Sequence, residues 1–185
     1  MDFLKVIETV ASQMDAEKVR YALIGGFAMA LRGVQRATVD LDFIVMLDDL
    51  EKADSILLKN GYKRAFQNEN VSHYLSKQKD WGRIDILHAF RGPTLSMLDR
   101  SDRIEIERDL SLPVVQLEDI MGLKIQAAVN DPHRATRDWS DIRILIENRA
   151  ETGETVDWEL LEDYLDLFQL NNKLKEMKAW YGSIK

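Results

Sequence analysis

Ala22-Leu23-Ile24-Gly25-Gly26-Phe27-Ala28-Met29-Ala30, followed closely by Arg36-Ala37-Thr38-Val39-Asp40-Leu41-Asp42-Phe43-Ile44-Val45, decides how the chain is read. An apolar run stops at two glycines, a short amphipathic stretch follows, and a strand then carries carboxylates at i and i+2. Side chains alternate faces along a strand, so Asp40 and Asp42 point the same way, roughly 7 Å apart. Two bare carboxylates at that spacing repel one another unless a cation lies between them. Their neighbours Leu41, Phe43, Ile44 and Val45 are apolar, and unpaired acids among buried residues are costly. The pattern predicts a divalent-metal site beside a glycine turn that can approach phosphates.

The remainder of the chain fits a soluble globular protein. It has 185 residues, 45% hydrophobic and 31% charged. A chain of this length buries roughly 70% of its unfolded surface. There is no cysteine, which excludes disulfides and thiolate metal sites. No stretch resembles a signal peptide or a membrane span, and the expected location is the cytoplasm. The net charge of -7 argues against coating nucleic acid by bulk charge. Residues 151–185 hold eight acids against four lysines, so the excess is concentrated in the tail.

Working outward, residues 2–14 place Phe3, Ile7, Val10 and Met14 at helical spacing. Arg20–Ile24 reads as a buried strand and Phe27–Leu31 as a helix packed on the sheet. Asp40–Met46 is apolar on both faces apart from its acids, as suits a central strand. Asp48-Asp49 is expected to cap a helix that stops near Asn60-Gly61. Strand-like runs follow at Tyr62–Phe66, Val71–Ser76 and Arg83–His88, with a turn at Asp80-Trp81-Gly82. Pro93 opens a short helix, and two short β segments are expected at Arg103–Glu107 and Val114–Gln116. Helices then complete the chain at Leu117–Val129, Ala135–Glu147, Asp157–Phe168 and up to about Trp180. Residues 151–155 form the single linker-like stretch, so residues 1–150 and 151–185 are the expected division. Strands and helices followed by helices alone predict an α/β or α+β fold, a mixed sheet flanked by helices with a helical C-terminal region.

Asp85 is the third acid of interest. It lies mid-strand on the face opposite Ile84 and Ile86, and strands pair at ~4.8 Å. If its strand pairs with that of Asp40 and Asp42, the three acids can share metals; otherwise Arg83, Lys77 or Lys79 would hold it in a salt bridge. Oxygen-only ligands favour Mg²⁺ or Mn²⁺ over zinc. Three acids around two metals are the parts of in-line phosphoryl or nucleotidyl transfer. Gly25-Gly26 lets backbone N–H groups approach a phosphate. Lys124 is centred in an apolar helix stripe with Leu117, Ile120 and Met121, so it needs an anion or must snorkel. A nucleotide phosphate would serve, as would a salt bridge. Thr38 shares parity with the acids, and Arg36 either contacts phosphate or balances the carboxylates. Arg134, Arg137, Asp138 and Asp141 read as helix-borne ion pairs, structural in the main, with the alternative that one of them orders the site. His73, His88 and His133 are scattered rather than at metal-ligand spacing, with His88 facing away from Asp85. Trp139, Trp158 and Trp180 read as core. No P-loop and no Gly-x-Ser-x-Gly element is present.

Gly25-Gly26, Arg36-x-Thr38-x-Asp40-Leu41-Asp42 and Arg83-Ile84-Asp85-Ile86-Leu87 together resemble the DNA polymerase β-type nucleotidyltransferase superfamily. The resemblance is greatest to its small bacterial members akin to abortive-infection nucleotidyltransferase toxins. Leu117-Glu118-Asp119-Ile120-Met121-Gly122-Leu123-Lys124 and Arg134-x-x-Arg137-Asp138-Trp139-x-Asp141 echo the later segments of those proteins, with Arg137 where lysine is usual. The resemblance covers roughly residues 20–147. It implies a nucleotidyltransferase domain over 1–150 with a helical extension over 151–185. Asp40, Asp42 and Asp85 would be catalytic and metal-binding, and Gly25, Gly26, Arg36, Thr38 and Lys124 would bind the NTP. It implies transfer of a nucleoside monophosphate to an acceptor hydroxyl on RNA, protein or a small molecule, and a cognate antitoxin as partner. Two other readings stand beside this one. One is an antibiotic nucleotidyltransferase acting on an aminoglycoside or lincosamide; the other is a nucleotide-binding module without turnover.

Overall fold

A computed structural model describes residues 2–78, 80–108 and 110–184, so the expected partner Lys79 lies outside the described residues. Helix α1 (Phe3–Ala16) buries Val6, Ile7, Val10, Ala11 and Met14 along one stripe, and Asp2 caps it by accepting from the Lys5 N–H. Strand β1 (Tyr21–Ile24) is buried at every position. It leads into α2 (Gly25–Leu31), and β2 (Asp40–Met46) follows. A single 3₁₀ turn at Leu47–Asp49 precedes α3 (Leu50–Lys59). The expected cap at Asp48-Asp49 differs in one respect: Asp49 occupies the N-cap position without a side-chain capping bond. Its carboxylate instead accepts from the Arg20 N–H and the Lys52 ammonium, and the Lys52 bond holds its pKa below the usual carboxylate value.

Strands β3 (Tyr62–Gln67), β4 (Val71–Ser76) and β5 (Arg83–Ala89) follow, then α4 (Gly92–Arg100), β6 (Asp102–Glu107) and β7 (Leu110–Val114). The seven strands form one mixed sheet in the order β3-β4-β5-β2-β1-β7-β6, which puts β2 at its centre. The last strand ends at Val114 instead of spanning Val114–Gln116. Strand β1 meets β7 only at Leu23↔Val114, so most of β7 has β6 as its one partner and tolerates Pro113 as an edge strand does.

One face of the sheet carries Leu41, Phe43, Ile84, Ile86 and Tyr74, all fully buried. Helix α3 packs there, with Asp54 accepting from the Tyr74 hydroxyl and from Arg64. Burial and that bond raise the Tyr74 phenol to about 12. His88 lies on the same face, away from Asp85 as expected. Its Nδ1–H donates to the Glu69 carbonyl at 3.0 Å, which leaves Nε2 to accept from the Ser72 hydroxyl at 2.8 Å. Burial pushes the His88 pKa down.

By contacts the chain forms two compact units, Met1–Leu31 with Gln35–Gln116 and Arg32–Val34 with Leu117–Lys185. They do not follow the expected limit at residue 150. Helix α5 (Leu117–Asn130) packs along α6 (Pro132–Thr152), and α7 (Trp158–Leu167) and α8 (Asn172–Gly182) complete that second unit. The linker-like stretch begins inside α6, which runs to Thr152 and ends on Gly153 at φ 75°, a left-handed position that favours glycine. The three tryptophans expected in the core are only partly buried. Lys173 sits 5.2 Å from the Trp139 ring, Lys178 5.7 Å from Trp158 and Arg143 6.0 Å from Trp180. Among the described residues no helix is long and apolar enough to cross a membrane.

Candidate active site

Three pairings build the site. Antiparallel pairing of β1 with β2 sets Ile24 opposite Asp42, so the chain leaving β1 passes directly beside that carboxylate. Parallel pairing of β2 with β5 sets Asp42 opposite Asp85 and Asp40 opposite Arg83. Pairing of β4 with β5 sets His73 opposite Asp85. One carboxylate oxygen from each of Asp40, Asp42 and Asp85 lies within 4.8 Å of the others. The three acids expected from sequence are therefore brought together on one face.

Gly25 forms the wall beside Asp42. Its φ is +73°, and a Cβ built there would lie 2.1 Å from Asp42 Oδ2. Only a residue without a side chain fits, both sterically and in backbone conformation. Gly26 backs onto Thr38, whose Cβ would be 3.0 Å from an added methyl. The Thr38 hydroxyl donates to Asp40, reaching its Oδ1 at 3.0 Å and its carbonyl at 3.1 Å. Arg36 is half-buried in the segment leading to β2.

Two basic residues engage Asp85 that the sequence reading treated as alternatives or left aside. Arg83 donates from Nε to Oδ1 at 2.6 Å and from Nη2 to Oδ2 at 2.6 Å. The Asp85 bond raises the Arg83 pKa, and the charges of Asp40 and Asp42 add to the effect. His73 Nδ1–H donates to Asp85 Oδ1 at 2.7 Å, and its ring stacks on Phe66 with centroids 5.3 Å apart. The salt bridge to Arg83 and the acid cluster thus coexist. His73 was missed because its closeness to Asp85 comes from strand register, which no local spacing records.

Lys124, in the second unit, is only 7% exposed, and its ammonium has anions of the protein's own. Nζ donates to Asp141 Oδ2 at 2.5 Å and approaches Asp138 Oδ1 at 3.4 Å. Arg134 completes the cluster by donating to Asp138 at 2.8 Å, one turn away on α6. The expected ion pair of Arg134 with Asp138 is therefore present, and Asp141 reaches across to α5.

The donor set of the triad is oxygen alone, three carboxylates without cysteine or imidazole, a chemistry that favours hard cations such as Mg²⁺ or Mn²⁺ over zinc. A mixed sheet carrying two acids on a central strand, a third on its parallel neighbour and a side-chain-free turn beside them is the arrangement that the resemblance to nucleotidyltransferases implies. The family model described as "Nucleotidyl transferase AbiEii toxin, Type IV TA system" matches residues 12–178, and the chain belongs to that family. It is thus a nucleotidyltransferase. No curated protein sequence matches it.

Solved structures share the fold. The solution structure of the antibiotic-resistance factor ANT(2'')-Ia has a TM-score of 0.67 at 14% identity, over 97% of this chain and 98% of that one. An antigenic nucleotidyltransferase-like protein from Paracoccidioides brasiliensis gives 0.54 at 18% identity, over 94% and 90%. The lincomycin-bound lincosamide antibiotic adenylyltransferase LnuA gives 0.50 at 19%, over 63% and 82%.

Proposed function

We propose that the protein moves a nucleoside monophosphate from an NTP to an acceptor hydroxyl in a Mg²⁺-dependent reaction, as the toxin of a two-gene pair with a separate antitoxin. The observation that carries this reading is the convergence of Asp40, Asp42 and Asp85 within 4.8 Å beside Gly25. The acceptor oxygen bonds to the α-phosphorus, the bond to the bridging oxygen breaks, and pyrophosphate leaves. Asp40, Asp42 and Asp85 would hold the metal ions, which when bound lower the pKa of the acceptor hydroxyl and stabilise the leaving pyrophosphate. Asp85, oriented by Arg83 and His73, takes part in removing the hydroxyl proton. Thr38 orients Asp40 through its hydroxyl. Gly25 and Gly26 keep the floor beside Asp42 clear for the triphosphate, with Arg36 on the approach.

The sequence expectation also gave Lys124 to the triphosphate. Its ammonium is engaged by Asp141 and Asp138, so that role requires an exchange of partners. The description of the matched family, a toxin of a type IV toxin–antitoxin system, supports the toxin reading, whereas the antibiotic acceptors of ANT(2'')-Ia and LnuA belong to proteins that share the fold of this chain alone.

The test is incubation with each of four α-labelled NTPs and Mg²⁺ in cell extract, with mass spectrometry of RNA, protein and metabolites. Label transfer that Asp42→Ala abolishes is expected, with growth arrest on expression relieved by the same change. Absence of transfer from every NTP overturns the reading.

A further inference from the structure

Trp139 and Trp180, two of the tryptophans expected in the core, are half-buried and line one open groove of about 240 Å³ between α6 and α8. Thr136, Ser140 and Arg143 complete the α6 wall, and Lys173 and Glu176 complete the α8 wall. Lys173 lies over the Trp139 ring and Arg143 near the Trp180 ring, so the two helices run the same way along the groove. Arg143 is ~6 Å beyond Trp139 on its helix, and Glu176 is ~4.5 Å beyond Lys173 on the other. The two therefore stand at nearly the same height on opposite walls. Ile144, one turn beyond Ser140 on α6, is 45% exposed.

Tryptophan and arginine gathered in one groove have the composition of a protein-binding hot spot. Each indole already has a cation of the chain beside it, so neither calls for one from outside. The charges indicate which protein fits. The chain as a whole carries -7, and the outer face of α7 presents Glu159, Glu162, Asp163 and Asp166, all exposed. Two copies repel one another there. Around the groove the charges balance. Arg143 bonds Glu147 at 2.7 Å and Lys173 bonds Glu176 at 2.7 Å. Solvent-exposed pairs of this kind hold little energy and exchange partners at small cost. A neutral face with one acid–base pair on each wall is complementary to itself. Half a turn about an axis along the groove lays α6 of one copy on α8 of another, and Arg143 of each then faces Glu176 of the other.

We propose that the α6–α8 groove is a self-association face through which two copies of this chain form a two-fold dimer. The contact is isologous, the same patch on both copies. Thr136, Ser140 and Ala179 are exposed and small, which lets the helices of the two copies approach closely. Ile144 of each copy then packs toward Ala179 and Trp180 of the other. Burial of the indoles supplies the affinity, and the exchanged ion pairs fix the orientation. The face lies wholly within the helical unit, and the proposal stands apart from the transferase reading.

Sedimentation equilibrium of the full chain, from low micromolar to several hundred micromolar, measures the association, with tryptophan emission followed over the same range. The wild type is expected to approach the mass of a dimer as its emission moves to shorter wavelength, because Trp139 and Trp180 lose water. Arg143→Glu and Glu176→Arg are each expected to weaken dimerisation roughly tenfold or more, since like charges then meet twice across the axis. An equimolar mixture of the two variants is expected to dimerise as the wild type does. In that mixed dimer one contact joins the two reversals and the other is the native pair. Misfolded chains cannot produce such a recovery, so it separates the interface from a loss of stability.

A wild type that stays monomeric at the highest concentration overturns the proposal and leaves the groove to a different protein. Dimerisation that neither reversal weakens overturns it as well, by placing the interface elsewhere. A mixture that associates no better than its two components also overturns it, because the facing of Arg143 and Glu176 is then wrong. Ile144→Lys, which leaves the ion pairs intact, is expected to weaken the dimer by a comparable factor. Unchanged association of that variant removes the face from the contact.

Discussion

Replacing Gly25 by alanine perturbs the site through a single methyl group. The added Cβ would lie 2.1 Å from Asp42 Oδ2, 2.7 Å from its Cγ and 2.8 Å from its Cβ. Ordinary contact begins near 3.4 Å, so the carboxylate must retreat by about 1.3 Å or the backbone must shift. Asp42 cannot retreat along the sheet, because its strand is pinned between β1 and β5. The side chain must therefore rotate out of the position it shares with Asp40 and Asp85. Alanine at φ +73° adds a conformational cost of about 1–2 kcal/mol. In a chain of this size each kcal/mol lowers Tm by roughly 2–4 °C.

Gly25→Ala is thus expected to melt a few degrees lower, and to bind Mn²⁺ more weakly by electron paramagnetic resonance titration. Misplacement of a catalytic group by about 1 Å costs on the order of 100-fold in turnover. Gly92→Ala is the control, since an added Cβ there meets nothing within 4 Å. The reasoning is refuted if Gly25→Ala keeps wild-type Mn²⁺ affinity and transfers label as well as Gly92→Ala does.

Asp42→Asn preserves shape while removing the charge. It should leave Tm within a few degrees and reduce transfer by more than the roughly 10–100-fold that changes behind a metal ligand cost; full activity would remove Asp42 from the reaction. Lys124→Met takes the buried ammonium from Asp141 while Asp138 keeps its bond from Arg134, so the cost in urea unfolding should be at most about 3–5 kcal/mol. The same variant melted with and without NTP tests the phosphate role, which is lost if the nucleotide stabilises mutant and wild type equally. His88 governs an acid-side pH dependence. Its folded pKa is depressed below the unfolded 6.5, so its contribution to stability is complete above that pH and is lost as pH falls through the folded pKa. Unfolding free energy measured between pH 7.5 and 5 should fall with acidification, and His88→Gln should flatten the slope; an unchanged slope contradicts the assignment.

Much of the fold could be read locally, because the signals were local. The stripe Ile7, Val10, Met14 needs only the helical period, and Asp40–Met46 announces a central strand by being apolar on both faces. The errors arose where a partner strand or helix sets the outcome. Strand β7 accepts Pro113 because β1 contacts it at one position, a matter of neighbours and not of propensity. Residues 117–150 join the C-terminal helices because the apolar stripe of α5 finds its complement on α6, which no composition shift marks.

For the site, the sequence by itself determined that Asp40 and Asp42 share a face, since strand alternation is a property of the backbone. It also determined that a glycine turn precedes them and that any metal held there would meet oxygen ligands. Tertiary structure alone decided that Asp85 stands opposite Asp42, that His73 and Arg83 hold it, and that Gly25 abuts the Asp42 carboxylate. It also decided, through one bulged residue, which way Phe66 points. The physical reason is the same in each case. Which side a strand residue faces follows from its own chain, whereas its neighbour across the sheet depends on register, and register is set by burial and pairing over the whole sheet.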